Sequence, residues 1–186
     1  FGPFKWQIAT TASDANRFAL RAARAVTGRN KILVFNACYH GAVDETFVKL
    51  KYGKTIHKPG LVGQSVDLTQ NTVAVEFNDV AGLEEALAKR DIACVITEPV
   101  LTNSCMVLPQ PGFHKALRQL TREAGTLLLI DETHTISTGL GGYTKTQGLE
   151  PDIFVLGKPV AGGVPAAVWG LSPDVAARFL ETEKSR

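Results

Sequence analysis

The sequence predicts a three-layer α/β/α fold built on a mainly parallel sheet. Short, largely apolar runs such as "KILVF", "IACVIT", "TLLLI" and "IFVLG" recur along the chain. Stretches with helical periodicity separate most of them, and ionisable or aromatic residues stand just after each run. A strand without polar alternation is buried on both faces. In alternation with amphipathic helices, such strands form a parallel sheet covered on each side.

The elements follow in order. "KWQIA" is a strand. "SDANRFALRAARAVTG" is a helix that Ser13 or Asp14 can cap and that Gly28 closes. "KILVF", residues 31–35, is a buried strand. Residues 48–75 read as loop-rich, with Gly53, Pro59, Gly60 and Gly63, and run into a strand "TVAVEF". "AGLEEALAKR" is an amphipathic helix and "IACVIT" a strand. "GFHKALRQLTREAG" is a helix ending at Gly125, and "TLLLI" the next strand. "GGYTKTQGLEP" reads as loop, "IFVLG" as a strand, and "SPDVAARFLETEK" as a helix opened by Ser172 and Pro173.

With 186 residues and 45% apolar content, the chain can bury the core of one domain. A net charge of +2 gives no case for nucleic acid or a membrane surface as partner. No apolar run approaches the roughly 18 residues that span a bilayer. Three cysteines, Cys38, Cys94 and Cys105, lack CxxC spacing. Their odd number points away from a disulfide framework and towards a reducing, cytoplasmic setting. The four histidines lack the close pairing of a zinc site, so no metal is expected. The abrupt start at "FGPFKWQ" and the uncapped finish at "ETEKSR" suggest a piece of a longer protein.

In a parallel sheet, ligands bind beyond the carboxyl ends of the strands. Here those ends carry Tyr39 and His40 after "KILVF", Glu98 after "IACVIT", Asp131 and Glu132 after "TLLLI", and Lys158 after "IFVLG". A lysine and an aspartate at neighbouring strand ends suit pyridoxal 5'-phosphate. The amine can condense with its aldehyde, and a carboxylate can keep the ring nitrogen protonated. Tyr39 could cover the ring. The turn "TTASDAN" offers backbone N–H groups and hydroxyls at a helix N-terminus for the phosphate.

On these stretches the sequence resembles the class III pyridoxal-phosphate-dependent aminotransferases, a family that includes glutamate-1-semialdehyde aminomutase. The resemblance runs in order through "TASDAN", "TGRNKILVFNACYHGAVDETF", "FNDVAGLEEAL", "ITEPVLTNSCMVLPQPGFHKALRQLTREAGTLLLIDETHT" and "GLEPDIFVLGKPVAGGVPAA". It implies the large domain of fold type I, spanning residues 1–186, without the N-terminal segment and the small C-terminal domain. It also implies that Lys158 forms the Schiff base and shuttles protons, and that Asp131 pairs with the pyridinium nitrogen. Ala12 and Ser13 would bind phosphate, the first through its N–H and the second also through its hydroxyl. Tyr39 would stack on one ring face with Thr133 against the other. Glu98 would help arrange the site, and His134 would approach the phenolic oxygen.

Three positions depart from the family pattern. Ala12 replaces a glycine in the phosphate turn, Thr133 replaces a valine, and Pro159 stiffens the loop after Lys158. The expected activity is transfer of an amino group between an amino compound and a keto acid or aldehyde, in a full-length homodimer. The fragment alone is expected to be inactive. An aminomutase or racemase using the same chemistry is the alternative, and a catalytically silent scaffold is a further one. A nucleotide-binding domain is disfavoured, because neither GxGxxG nor GxxxxGK[ST] is present.

Overall fold

The computed structural model describes residue 2 and residues 4–184. β1 (Lys5–Ala9) leads into α1 (Ala12–Thr27) and β2 (Lys31–Phe35). β3 (Val48–Lys51) and β4 (Lys54–His57) precede β5 (Thr72–Val75). There follow α2 (Val80–Ala88), β6 (Ile92–Thr97), α3 (Phe113–Ala124), β7 (Leu127–Asp131), α4 (Gly142–Thr146), β8 (Ile153–Leu156), β9 (Ala167–Leu171) and α5 (Pro173–Lys184).

One seven-stranded sheet runs in the order β1-β9-β8-β7-β6-β2-β5. The strands β5, β2, β6, β7 and β8 pair in parallel, while β9 is antiparallel to both β8 and β1. β1 therefore runs with the parallel set, and its end meets theirs on one edge. Every residue of β6 is buried. Successive strand side chains point to opposite faces, so both faces of the sheet are covered. α1 packs on β6 to β9 and on α5, while α2 and α3 pack on each other and on β5 and β7. The mainly parallel α/β expectation holds.

Three local expectations are corrected, and one strand is added. First, Thr11 caps α1, in place of Ser13 or Asp14. Its backbone is extended and its hydroxyl accepts the Asp14 N–H at 3.1 Å, while the Asp14 carboxylate accepts the Thr11 hydroxyl at 2.8 Å. The Thr11 hydroxyl thus serves as N-cap acceptor and also donates to the carboxylate in the first turn. It leaves the Ser13 hydroxyl free for other partners.

Second, residues 48–57 form a hairpin where loop was expected. Tyr52 and Gly53 turn it with φ of 51° and 71°, the two positive values that a two-residue hairpin turn requires. Third, residues 142–146 form a short helix, because the buried Glu132 carboxylate accepts the N–H groups of Tyr143 and Thr144. Fourth, "AVWGL" is a seventh strand of the main sheet. No α-helix intervenes after β8, so the chain returns antiparallel. Gly170 keeps this strand close to Trp6, since a Cβ there would sit 2.9 Å from the indole.

Candidate active site

The strand ends meet around an open cavity of about 420 Å³. The link from β1 to α1 contributes Thr10 and Thr11 to the lining, and the first turn of α1 contributes Ala12 and Ser13. The segment after β2 contributes Tyr39, His40 and Gly41, and the end of β6 contributes Glu98. From β7 and the turn after it come Asp131, Thr133 and His134, and from beyond β8 comes Lys158. Each residue expected from the sequence to touch the cofactor thus lines one cavity.

The N-terminus of α1 gives this cavity an anion-binding corner. Asp14 N–H is capped by Thr11 and Ala15 N–H is bonded to the Thr11 carbonyl. The N–H groups of Ala12 and Ser13 have no such bond among the described residues, and the helix dipole points its positive end there. The Ser13 hydroxyl accepts the Ala42 N–H at 2.9 Å, so its own proton is available to an anion. Gly41 permits this contact: at φ +80°, a Cβ would lie 2.1 Å from Ser13 Oγ. Gly157 allows a similar approach, for its Cβ would lie 2.8 Å from that of Ala12.

Asp131 forms the buried wall. Its Oδ2 accepts Asn16 Nδ2 at 2.9 Å and lies 3.0 Å from His40 Nδ1, while Oδ1 accepts the Thr133 N–H at 3.1 Å. Burial alone would raise the carboxyl's pKa. The hydrogen bond and charge of His40, with the Thr133 and Asn16 bonds, outweigh burial and hold it below the usual carboxylate value. For the His40 ring, burial opposes a charge. The adjacent Cys38 sulfur and Asp131 favour one, and the balance raises its pKa to about 10. Asp131 is therefore a carboxylate held in place by donors on three separate elements.

Glu98 anchors a second chain of polar groups. Its Oε1 accepts the Tyr39 N–H at 3.2 Å. Its Oε2 accepts the Thr102 N–H at 3.2 Å and the Thr102 hydroxyl at 2.6 Å. The Thr102 hydroxyl oxygen also touches His134 Nδ1.

Lys158 lies in the open part of the lining. It is exposed, with φ of 39°, in the left-handed region that residues with a Cβ seldom adopt. Thr133 ties this segment to β7 by accepting the Gly157 N–H at 3.2 Å. Tyr39 presents its ring half exposed.

Asn16 and Thr102 are the functional neighbours that sequence reasoning missed. Asn16 sits inside "TASDAN", but its partner Asp131 is 115 residues away. Thr102 follows "EPVL" and carried no motif of its own.

An open, mostly parallel sheet with a cavity beyond its strand ends is the arrangement in which α/β proteins bind ligands. The sequence profile of class III aminotransferases matches residues 5–185, and the chain belongs to that family. It is 40% identical over 173 residues to a glutamate-1-semialdehyde 2,1-aminomutase of Neisseria meningitidis, covering 91% of this chain and 40% of the relative. A crystal structure of a glutamate-1-semialdehyde aminomutase from Pseudomonas aeruginosa PAO1 aligns with TM-score 0.94 and 50% identity, over 96% of this chain and 40% of that one. An omega-transaminase from Sphaerobacter thermophilus aligns with TM-score 0.85 and 29% identity, over 92% of this chain and 41% of that one. The chain thus spans about two fifths of the length of these relatives. A variant of the Pseudomonas enzyme is known in complex with PMP.

Proposed function

We propose that this chain is the cofactor-binding large domain of a longer pyridoxal-phosphate-dependent transaminase. The enzyme moves an amino group between an amino donor and a keto acid or aldehyde. One observation carries this reading. A buried carboxylate held ionised, Asp131, and a lysine on a strained backbone, Lys158, stand at adjacent strand ends on a cavity with a helix N-terminus in its wall.

These residues fit the cofactor. When bound, pyridoxal phosphate supplies an aldehyde that takes up amino groups and a protonated ring that withdraws electrons from the bonds being broken. Ala12 N–H with the Ser13 N–H and hydroxyl hold its phosphate at the positive end of α1. Asp131 keeps the proton on the ring nitrogen, and its three donors keep Asp131 itself ionised. Tyr39 and Thr133 would flank the ring. Lys158 Nζ would hold the aldehyde end and carry protons there. Glu98 fixes the Tyr39 backbone.

An aminomutase of the same family is the second reading, favoured by relatives of that name at 40% and 50% identity. Lys158 and Asp131 are both present, which speaks against a silent scaffold. In the longer protein, the site completes at the interface of a cytoplasmic homodimer, with segments outside this chain closing over the substrate. The isolated chain is inactive and binds the cofactor weakly. Absorbance of the full-length protein with pyridoxal phosphate tests the class: a visible band supports it, and no band rejects it. Net amino transfer to an added keto acid separates transaminase from mutase. Sedimentation of both forms tests the dimer.

A further inference from the structure

We propose that Thr102 is a positioning residue. Backed by Glu98, it holds His134 as the Nδ1–H tautomer, so that Nε2 offers a lone pair to an N–H or O–H donor on the bound ligand. Glu98 is 4% exposed. Two backbone N–H groups, of Tyr39 and Thr102, contact its two oxygens. A backbone N–H can only donate, so both oxygens accept, and Glu98 taken as the ordinary carboxylate has no proton of its own.

The Thr102 oxygen lies 2.6 Å from Glu98 Oε2. Two oxygens at that distance need a proton between them. The carboxylate has none to give, so the single Thr102 hydroxyl proton goes to Glu98. That same hydroxyl oxygen is in contact with His134 Nδ1. With its proton spent, the oxygen can only accept, and Nδ1 must carry the hydrogen. The order is Nδ1–H to Thr102 Oγ–H to Glu98 Oε2. Among the described residues no hydrogen bond engages Nε2, and His134 lines the cavity.

In a neutral ring, the nitrogen without hydrogen is an acceptor. The chain of bonds therefore sets which polar group a ligand should place beside His134. A donor, such as the amino group of an amino compound, is accepted there, and a carbonyl or carboxylate oxygen meets a lone pair. The tautomer follows from these hydrogen bonds and an ionised Glu98. Identifying the donor as a substrate amino group rests on the amino-transfer reading above.

The test uses the full-length protein labelled with 15N-histidine, with the His134 signals assigned by their loss in His134→Gln. Multiple-bond 1H–15N correlation at alkaline pH distinguishes the two neutral tautomers. The Nδ1–H pattern is expected in the wild type and in Thr102→Ser. Thr102→Val, which keeps the shape and removes the hydroxyl, is expected to lose it. An Nε2–H pattern in the wild type overturns the proposal, and so does an unchanged pattern in folded Thr102→Val. If the valine variant does not fold, the wild-type and serine spectra decide.

In steady state, Thr102→Val should raise KM for the amino donor about tenfold, as loss of one hydrogen bond would, with serine restoring it. An equal rise for the keto acceptor overturns the choice of donor. A protein that shows the Nδ1–H pattern yet neither binds pyridoxal phosphate nor transfers amino groups supports the tautomer and overturns the amino-transfer reading.

Discussion

The cavity lining divides into a buried part and an open part, built on different physical terms. Asp131 and Glu98 are each 4% exposed and His40 is 2% exposed. Each oxygen of the two carboxylates lies within hydrogen-bonding distance of at least one donor group. Tyr39, by contrast, is 48% exposed. Lys158 sits on a left-handed backbone next to Pro159, followed by Ala161 and Gly162, also at positive φ. The buried part fixes charge before any ligand arrives, which is what electrostatic preorganisation requires. The open part carries the Lys158 amine on an exposed segment. Buried carboxylates and an accessible amine thus share one cavity at the ends of neighbouring strands.

The sharpest way to break this division is to remove the open part's amine. Lys158→Ala should abolish covalent, borohydride-fixable attachment of pyridoxal phosphate to the full-length protein, read by mass spectrometry. Attachment at another lysine would refute the assignment. Next is the buried charge. Asp131→Asn keeps the shape but removes the carboxylate. By analogy with loss of one preorganised electrostatic partner, it should cost about 3 kcal/mol in the barrier, or roughly a hundredfold in kcat. Near-normal turnover would show that another group protonates the ring.

The buried part also predicts a pH dependence. The His40 pKa is raised from 6.5 to about 10. A raised pKa means that the folded state holds the proton more tightly. The contribution is therefore complete below about pH 6.5 and disappears as pH climbs through about 10. Asp131 has the opposite sign. Its pKa is lowered from 3.8, so its contribution is present above that pH and fades as acid protonates the carboxylate. Unfolding of the full-length apoprotein should become easier from pH 7 to 10. His40→Gln should flatten that slope by on the order of 1–2 kcal/mol. Parallel slopes for the two proteins would place the titrating group elsewhere.

Sequence legibility follows the same division. Asp131, Glu98 and Lys158 were readable because each follows a largely apolar run, and sheet topology then brings such positions to one edge. Tyr39 and His40 were readable for the same reason. Asn16 and Thr102 were not, because their roles come from partners fixed only by the tertiary fold. The role of Glu132 was hidden too: a buried carboxylate that gathers two N–H groups creates the helix at residues 142–146, against the local turn signal of its glycines. The "AVWGL" strand escaped because it enters the sheet antiparallel, outside the strand–helix alternation that betrayed the others. The hairpin at residues 48–57 was masked by its lysines and glycine, although its Tyr52–Gly53 turn is a local signal.

The smallest effect separates the two parts by glycine. Gly41 and Gly163 both line the cavity and both have positive φ, +80° and +108°. A Cβ at Gly163 meets nothing within 4 Å, whereas one at Gly41 would overlap Ser13 Oγ. Either alanine carries a backbone penalty of about 1 kcal/mol, since L-residues resist this conformation. Only Gly41→Ala must also turn the Ser13 hydroxyl away and break its bond to Ala42 N–H. That hydroxyl is one of the phosphate donors proposed for the anion corner. Gly41→Ala should therefore weaken pyridoxal phosphate binding by about tenfold, as the loss of one hydrogen bond would. Gly163→Ala should change it by less than about twofold, because only backbone strain in the open loop is added. Fluorescence titration of both full-length variants reads the difference. Equal losses would mean that the anion corner does not depend on the tight packing of Gly41 against α1.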